Sequence, residues 1–207
     1  MRIYVACPAS YNNGVLHGKW VDASSDVDEM QEEVDAILRA SKFPNVEVDC
    51  PECEGTGVRV HASGVQPPET CPTCKGTGEV PSAEEWAIHD YDDLPNLGEY
   101  PGLQAIADYV ELTEALDGFD EDEVKALVEE NNGDLEAAKE MGEDRYCGTY
   151  ESFRDYAEES ADEMMACHEG KVPEFLTNYF DYDSYARDLK MDMTTIDTAK
   201  GVMVFHA

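Results

Sequence analysis

The sequence predicts an α+β protein, elongated and divided into three small domains. Three observations carry that expectation. Strand-like and helix-like segments mix at both ends of the chain, a helix-only stretch separates them, and a Pro- and Gly-rich interruption holds four regularly spaced cysteines. The 207 residues, 42% of them hydrophobic, are enough for real cores.

The first domain is expected over residues 1–101. Ile3-Tyr4-Val5-Ala6 reads as a strand, Asn12-Asn13-Gly14 as a hairpin signal, and Leu16 to Val21 as the returning strand. Ser25 with Asp28 resembles a capping box. Val27, Met30, Val34, Ile37 and Leu38 then mark one face of a helix running to about Ala40. After the interruption from Pro44 to Pro81, Glu85 to Tyr91 reads as a third strand of the same sheet. Residues 102–141 read as a small helical domain: Leu103, Ile106, Ala107 and Val110 form one apolar face, Val124, Leu127 and Val128 another, and Gly118 and Asn131-Asn132-Gly133 punctuate them. The last domain, 142–207, is expected to hold a helix from Tyr150 to Cys167, a break at Pro173, a helix near Asp183 to Leu189, and strands at Thr194–Asp197 and Val202–Phe205.

Within the insert, 45–81, Cys50-Pro51-Glu52-Cys53-Glu54-Gly55-Thr56-Gly57 is echoed by Cys71-Pro72-Thr73-Cys74-Lys75-Gly76-Thr77-Gly78. Two residues between thiolates let one turn aim both sulfurs at a single ion, and the glycines permit the tight turn. Cys50, Cys53, Cys71 and Cys74 therefore predict one structural Zn²⁺ per chain, with no coordination position left open for catalysis. His61 is a weaker competing ligand. Cys7, Cys147 and Cys167 read as ordinary reduced cysteines. The two knuckles resemble the CxxCxGxG modules of J-domain chaperones, which implies a zinc-ribbon-like finger. The His-Pro-Asp signature of those proteins is absent, and a co-chaperone function does not follow.

Charge is the dominant compositional signal: 47 Asp and Glu against 14 Lys and Arg, a net −33. From Ser82 to Ala207 there are 34 acids and 8 bases, a net −26. Eleven Tyr, two Trp and six Phe place this acid on folded surface rather than in a disordered tail. On the first helix Asp28 and Glu32, and Glu29 and Glu33, are like charges at i and i+4, each pair costing roughly 0.2–0.5 kcal/mol. The bias recurs in Asp120-Glu121-Asp122-Glu123, and in Glu158-Glu159 with Asp162-Glu163. These twelve residues are the candidate partner-binding surface, and a strongly basic groove is the complementary partner. Duplex DNA carries one charge per about 1.7 Å of axis, so this net charge matches roughly 56 Å of duplex, whereas a globule of this length is only about 43 Å across. Matching DNA's charge density thus favours an elongated body or an assembly. No apolar run reaches membrane-spanning length and the N-terminus lacks a signal-peptide core, so the expectation is a cytoplasmic protein.

Arg2-Ile3-Tyr4-Val5-Ala6, Tyr11-Asn12-Asn13-Gly14 with Leu16-His17-Gly18-Lys19-Trp20, and Glu84 to Tyr91 resemble the N-terminal domain of the ArdA antirestriction proteins. Tyr150 to Glu159, and Leu176-x-x-Tyr179-x-Asp181-Tyr182-Asp183-x-Tyr185-Ala186-Arg187-Asp188-Leu189, resemble its C-terminal portion. The resemblance implies an elongated, three-domain, dimeric mimic of B-form DNA that performs no chemistry. Such a mimic occupies the DNA groove of a type I restriction-modification enzyme, at its methyltransferase core, and competes with DNA rather than binding it. It also implies that Leu176 to Leu189 is the antirestriction motif, in the domain associated with dimerisation. The zinc insert departs from the family pattern. A competing reading is a zinc-dependent protein-interaction adaptor, because Gly118-Phe119 and Asn132 to Ala138 faintly resemble a ubiquitin-associated helical module. His89-Asp90 as a catalytic dyad is set aside, since adjacent strand residues point to opposite faces and no nucleophile accompanies them. Arg187 is expected to anchor an internal acid.

Overall fold

The computed structural model describes residues 1–59, 68–167, 172–177 and 179–207 and shows an α+β protein that packs as two compact units, Met1–Val110 and Glu111–Ala207. The first unit is organised on β1 (Arg2–Ala6), whose alternation buries Ile3 and Val5 completely. After a single helical turn, α1 (Pro8–Tyr11), the chain returns as β2 (Gly18–Asp22), antiparallel to β1. The connection is therefore a helical turn followed by a loop with Gly14 at φ +75°, rather than the tight Asn-Gly hairpin expected. Pro8 accounts for the difference, because it sits at the first helical position, where its missing N–H costs nothing.

The next helix, α2 (Val27–Arg39), starts one residue later than the Ser25 signal implied. Asp26 is its cap, accepting the amides of Asp28 and Glu29 at 2.9 and 3.3 Å. Its apolar stripe, Met30, Val34, Ile37 and Leu38, is buried against the sheet. Four short strands build the insert: β3 (Val46–Asp49) pairs with β6 (Glu79–Ser82), and between them β4 (Val58–Arg59) pairs with β5 (Glu69–Thr70). The insert's base is clamped to the unit by Ala83 N–H on the Leu38 carbonyl (3.1 Å) and Asn45 N–H on the Ser82 carbonyl (2.9 Å). Then β7 (Ala87–Asp92) completes the sheet in the order β2-β1-β7. Pairing steps from Tyr4↔Asp90 to Val5↔Ile88, leaving His89 as the extra residue of a bulge. His89 and Asp90 are consequently both exposed, which corrects the expectation of opposite faces, and the His89 ring meets Tyr11 edge-on at 5.4 Å.

The helix α3 (Leu103–Ala115) runs through the division: Leu103, Ile106 and Ala107 belong to the first core, and Glu111 onward to the second unit. In that second unit α4 (Glu121–Glu130) and α5 (Leu135–Asp144) bury Val124, Leu127, Ala138 and Met141. A Cβ at Gly142 would come within 2.7 Å of a Leu116 side-chain methyl, so a larger residue there would have to push the Leu116 side chain aside. A strand not anticipated from the sequence, β8 (Tyr146–Tyr150), precedes α6 (Phe153–Cys167). The turn α7 (Glu174–Thr177), the helix α8 (Tyr182–Leu189), and the strands β9 (Met193–Thr198) and β10 (Gly201–His206) follow. The sheet order is β8-β10-β9, and Val204 of the central strand packs with Phe153 and Ala157 of α6. The helices α4 and α5 share one unit with this sheet, and Glu123 and Lys200 connect them.

Candidate functional site

The four cysteines converge. Cys50, Cys53, Cys71 and Cys74 are buried, and their sulfurs all lie within 4.8 Å of one another. The cross-knuckle pairs Cys50–Cys71 and Cys53–Cys74 stand at 3.8 and 3.7 Å. Four sulfurs at about 2.3 Å from a tetrahedral ion would be about 3.8 Å apart, so the cage has the dimensions of a Zn–S₄ site and not of a disulfide. Gly57 and Gly78 N–H donate to Cys53 and Cys74 Sγ at 3.3 and 3.4 Å, which lowers the cost of the negative charge four thiolates carry. Both glycines sit at positive φ, 72° and 83°, and a Cβ on either would strike a carbonyl oxygen of the other knuckle within 2.5 Å. Against the burial that would raise it, the amides of Gly78 and Gly76 pull Cys74 down to about 6. The Cys74 amide opposes a rise at Cys71, but burial and the neighbouring thiols push that group up to about 11. Bound zinc would supply structure, tying the two knuckles into one fold. His61 lies outside the described residues.

The acidic side chains divide into those the fold uses and those it does not. On α2, Glu33 pairs with Lys19 at 2.8 Å and Glu29 accepts from Ser24 at 3.1 Å, while Asp28 and Glu32 are exposed and form no ion pair with a described residue. At α4, Asp120 is the cap, accepting the Glu123 amide and the Lys200 ammonium at 2.9 and 2.6 Å. The hydrogen bond from Lys200, then that from the Glu123 amide, hold the Asp120 carboxyl below its ordinary range. Glu123 corrects the expectation that this run lies wholly on the surface: it is only 5% exposed. It bonds back to the Asp120 amide at 2.9 Å to complete a capping box, and it faces Lys200 at 3.3 Å. Glu121 and Asp122 are exposed, and with Asp117, Asp120, Thr113 and Phe119 they line an open concavity of about 530 Å³. On α6, Glu158 pairs with Arg154 at 2.7 Å and Asp162 accepts from the Tyr182 hydroxyl at 2.5 Å, while Glu159 and Glu163 are exposed without a described cation partner.

The segment from Leu176 to Leu189 splits in the same way. Tyr185, Ala186 and Leu189 pack on the α6 core, and the Tyr185 hydroxyl meets Ser160 at 3.3 Å. Asp181 caps α8 through the Ser184 amide at 3.0 Å, and that bond holds its carboxyl low. Asp183 takes Arg154 at 3.0 Å, and Tyr182, bonded to Asp162, holds its phenolic proton above the ordinary range. Leu176 and Tyr179 remain exposed, Tyr179 by 84%. Arg187 does not anchor an internal acid; it is exposed, and among the described residues its ion pair is with its neighbour Asp188 at 3.0 Å.

A family model described as antirestriction protein (ArdA) matches residues 3–204. The chain belongs to the ArdA antirestriction family. No curated protein matches it in a sequence comparison. The ArdA match includes the cysteine insert within its span. Among the described residues no helix is long and apolar enough to cross a membrane. Sequence reasoning missed Lys200, which pairs with Asp120 and Glu123 of α4, Arg154, which joins α6 to Asp183 of α8, and Asp26, the N-cap of α2. A signal for the first was present: Asp120-x-x-Glu123 has capping-box spacing, which marks Glu123 as a structural acid rather than a surface one. The Gly118-Phe119 pair, which suggested an adaptor module, places its ring against Tyr146 at 4.6 Å.

Proposed function

We infer that this ArdA protein inhibits a type I restriction-modification enzyme by presenting its acidic surface to the DNA-binding groove of the methyltransferase core, as a mimic of B-form DNA, without catalysing a reaction. The observation that carries this reading is the set of exposed carboxylates on α2, α4 and α6, Asp28, Glu32, Glu121, Asp122, Glu159 and Glu163, which have no cation partner among the described residues. A fold seeking only solubility has no reason to retain like charges at i and i+4, which oppose the helix that carries them. Exposed Leu176, Tyr179, Phe180, Met164 and Met191 in the second unit support a homodimer built on the antirestriction motif. In this reading the segments 1–101, 102–141 and 142–207 act as successive parts of one acidic track. The four-cysteine cage is read as a structural zinc site, and the site of action as the cytoplasm.

The test is competition. Titrating the protein against a fixed duplex should displace the DNA from a type I methyltransferase core, and raising salt should weaken that displacement steeply, because screened charges carry the recognition. Undiminished DNA methylation and cleavage at several-fold molar excess of the protein would sink the reading.

A further inference from the structure

The two knuckles differ at one position that faces across the cage. The residue two after the first cysteine is Glu52 in one knuckle and Thr73 in the other. The Thr73 hydroxyl donates to Glu52 Oε2, a bond between loops 21 residues apart. The same carboxylate takes the Arg59 guanidinium of β4 on its other oxygen at 3.0 Å and lies 3.8 Å from Cys71 Sγ. Apart from the sulfurs, this is the side-chain bridge that the described residues show between the knuckles. Two backbone bonds also cross between the knuckles, Cys50 N–H to the Gly78 carbonyl at 2.8 Å and Cys71 N–H to the Gly57 carbonyl at 3.0 Å, while among the described residues the four cysteines pack with one further apolar side chain, Val80.

We propose that Glu52 is a positioning residue for the metal site, a latch that closes the knuckles on each other through Thr73 and sets how long the ion is retained. The proposal rests on the zinc reading above. Two cysteine pairs that must meet one ion lose conformational freedom when they do, and a bridge made beforehand lowers that cost in the metal-bound state. It acts chiefly on departure, because the ion leaves only when one knuckle swings away from the other. Arg59 contributes less: its pair with Glu52 is half open to solvent, where ion pairs are weak. With zinc bound Cys71 carries no proton, so Thr73 and Arg59, not the thiol, keep the carboxylate in place.

The experiment measures zinc release from the full-length holoprotein into excess chromogenic chelator. Glu52→Ala and Thr73→Val should each speed release about tenfold, the low end of what outer-shell substitutions cost metal sites. The double variant should be no faster than either single one, because both remove the same bridge, and Thr73→Ser should release at the parent rate. The urea midpoint of the tryptophan-bearing core should not move in any of them, which separates a latch from general destabilisation. Parent-like release from either Glu52→Ala or Thr73→Val, or a double variant whose effect is the product of the singles, overturns the latch. Should Glu52→Ala lose the finger outright, Glu52→Gln decides, since its amide oxygen still accepts from Thr73: retention near the parent rate supports the bridge, and release as fast as in Thr73→Val refutes it. A parent protein that holds no zinc, and shows no thiolate charge-transfer bands with Co²⁺, removes the zinc reading itself and the latch with it.

Discussion

Removing the metal should melt the finger and leave the rest of the first unit standing. Inside the finger the four cysteines pack, among the described residues, with a single further apolar residue, Val80, which is only partly buried and contributes less than the roughly 1.5–3 kcal/mol of a fully buried side chain. A structural zinc contributes on the order of 10–16 kcal/mol to the fold of such a module, so the ion dominates and its loss cannot be absorbed. The core of the unit contains none of the four cysteines; it is made by Ile3, Val5, Val21, Met30, Val34 and their neighbours. The insert's ends stay clamped by the Asn45–Ser82 and Ala83–Leu38 hydrogen bonds. Chelation therefore converts an ordered finger into a long loop closed at its base. Loop-closure entropy grows by only about 0.6 kcal/mol per doubling of length, so a loop of roughly 37 residues costs about 1.6 kcal/mol more than a six-residue link. Both tryptophans, Trp20 and Trp86, lie in this unit outside the insert, and Trp86 packs on its core. In Cys50→Ser/Cys71→Ser, or after exhaustive chelation, proteolysis should open within 45–82 while tryptophan emission keeps its native position. The tryptophan-monitored urea midpoint should correspond to about 1.6 kcal/mol less stability than in a variant carrying a six-residue link in place of the insert. Cooperative loss of the tryptophan signal together with the zinc would refute the reasoning, because the finger would then be part of the unit's core.

In the second unit Leu127→Ala, at a site with no exposure, should cost about 2–5 kcal/mol by calorimetry or urea unfolding, from lost burial and the cavity left behind. Glu123→Ala should cost about 1–2 kcal/mol, since it removes the return half of the capping box and leaves the Asp120 amide without its partner; equal stability of the variant would show that water replaces the carboxylate at no cost. The depressed carboxyls of Asp120 and Asp181 have folded pKa values below their unfolded ones. Their contribution is therefore complete above the ordinary carboxylate pKa, about 3.9, and is lost as pH falls through the lower folded value. Acid unfolding monitored by circular dichroism should shift to higher pH in the parent than would be expected of an unlinked fold, and Asp120→Asn should flatten that acid limb.

Much of the architecture was legible because periodicity is a local property. The stripe Met30, Val34, Ile37, Leu38, the strand Ile3 to Ala6 and the paired CPxCxGTG knuckles each announce themselves within a dozen residues. The strand β8 did not, because its sequence Tyr-Cys-Gly-Thr-Tyr has Gly148 at its centre and only pairing with β10, more than fifty residues away, makes it a strand. Gly148 adopts φ +145°, and a side chain there would press on the Tyr150 ring at 2.8 Å. The four-cysteine cage was legible in full from spacing, whereas the roles of individual acids were not. Asp120, Glu121 and Asp122 are exposed and Glu123 is buried, and which of them is structural depends on Lys200, far away in sequence.

Helix polarity separates acids that serve the fold from acids that oppose it. Asp26, Asp120, Asp134 and Asp181 are N-caps, and Asp28, Glu29, Glu121, Asp122 and Glu136 occupy first turns, where negative charge meets the positive end of the macrodipole. The helix macrodipole favours charge at those positions. It does not explain Glu129 and Glu130 at the end of α4 or Glu143 and Asp144 at the end of α5, all exposed, on helices with no basic residue in the last turn. Each of these four faces the negative end of its helix and costs on the order of 0.3–1 kcal/mol. Replacing them together by Gln and Asn should therefore raise the melting temperature of the second unit while weakening competition with DNA for the restriction enzyme. Replacing the caps Asp120 and Asp134 by Ala should lower the melting temperature, with any loss of competition following the loss of fold. If the four end-of-helix substitutions stabilise the protein and competition at low salt is unchanged, those carboxylates do not touch the partner, and the acidic track must be confined to α2, α6 and the first turn of α4.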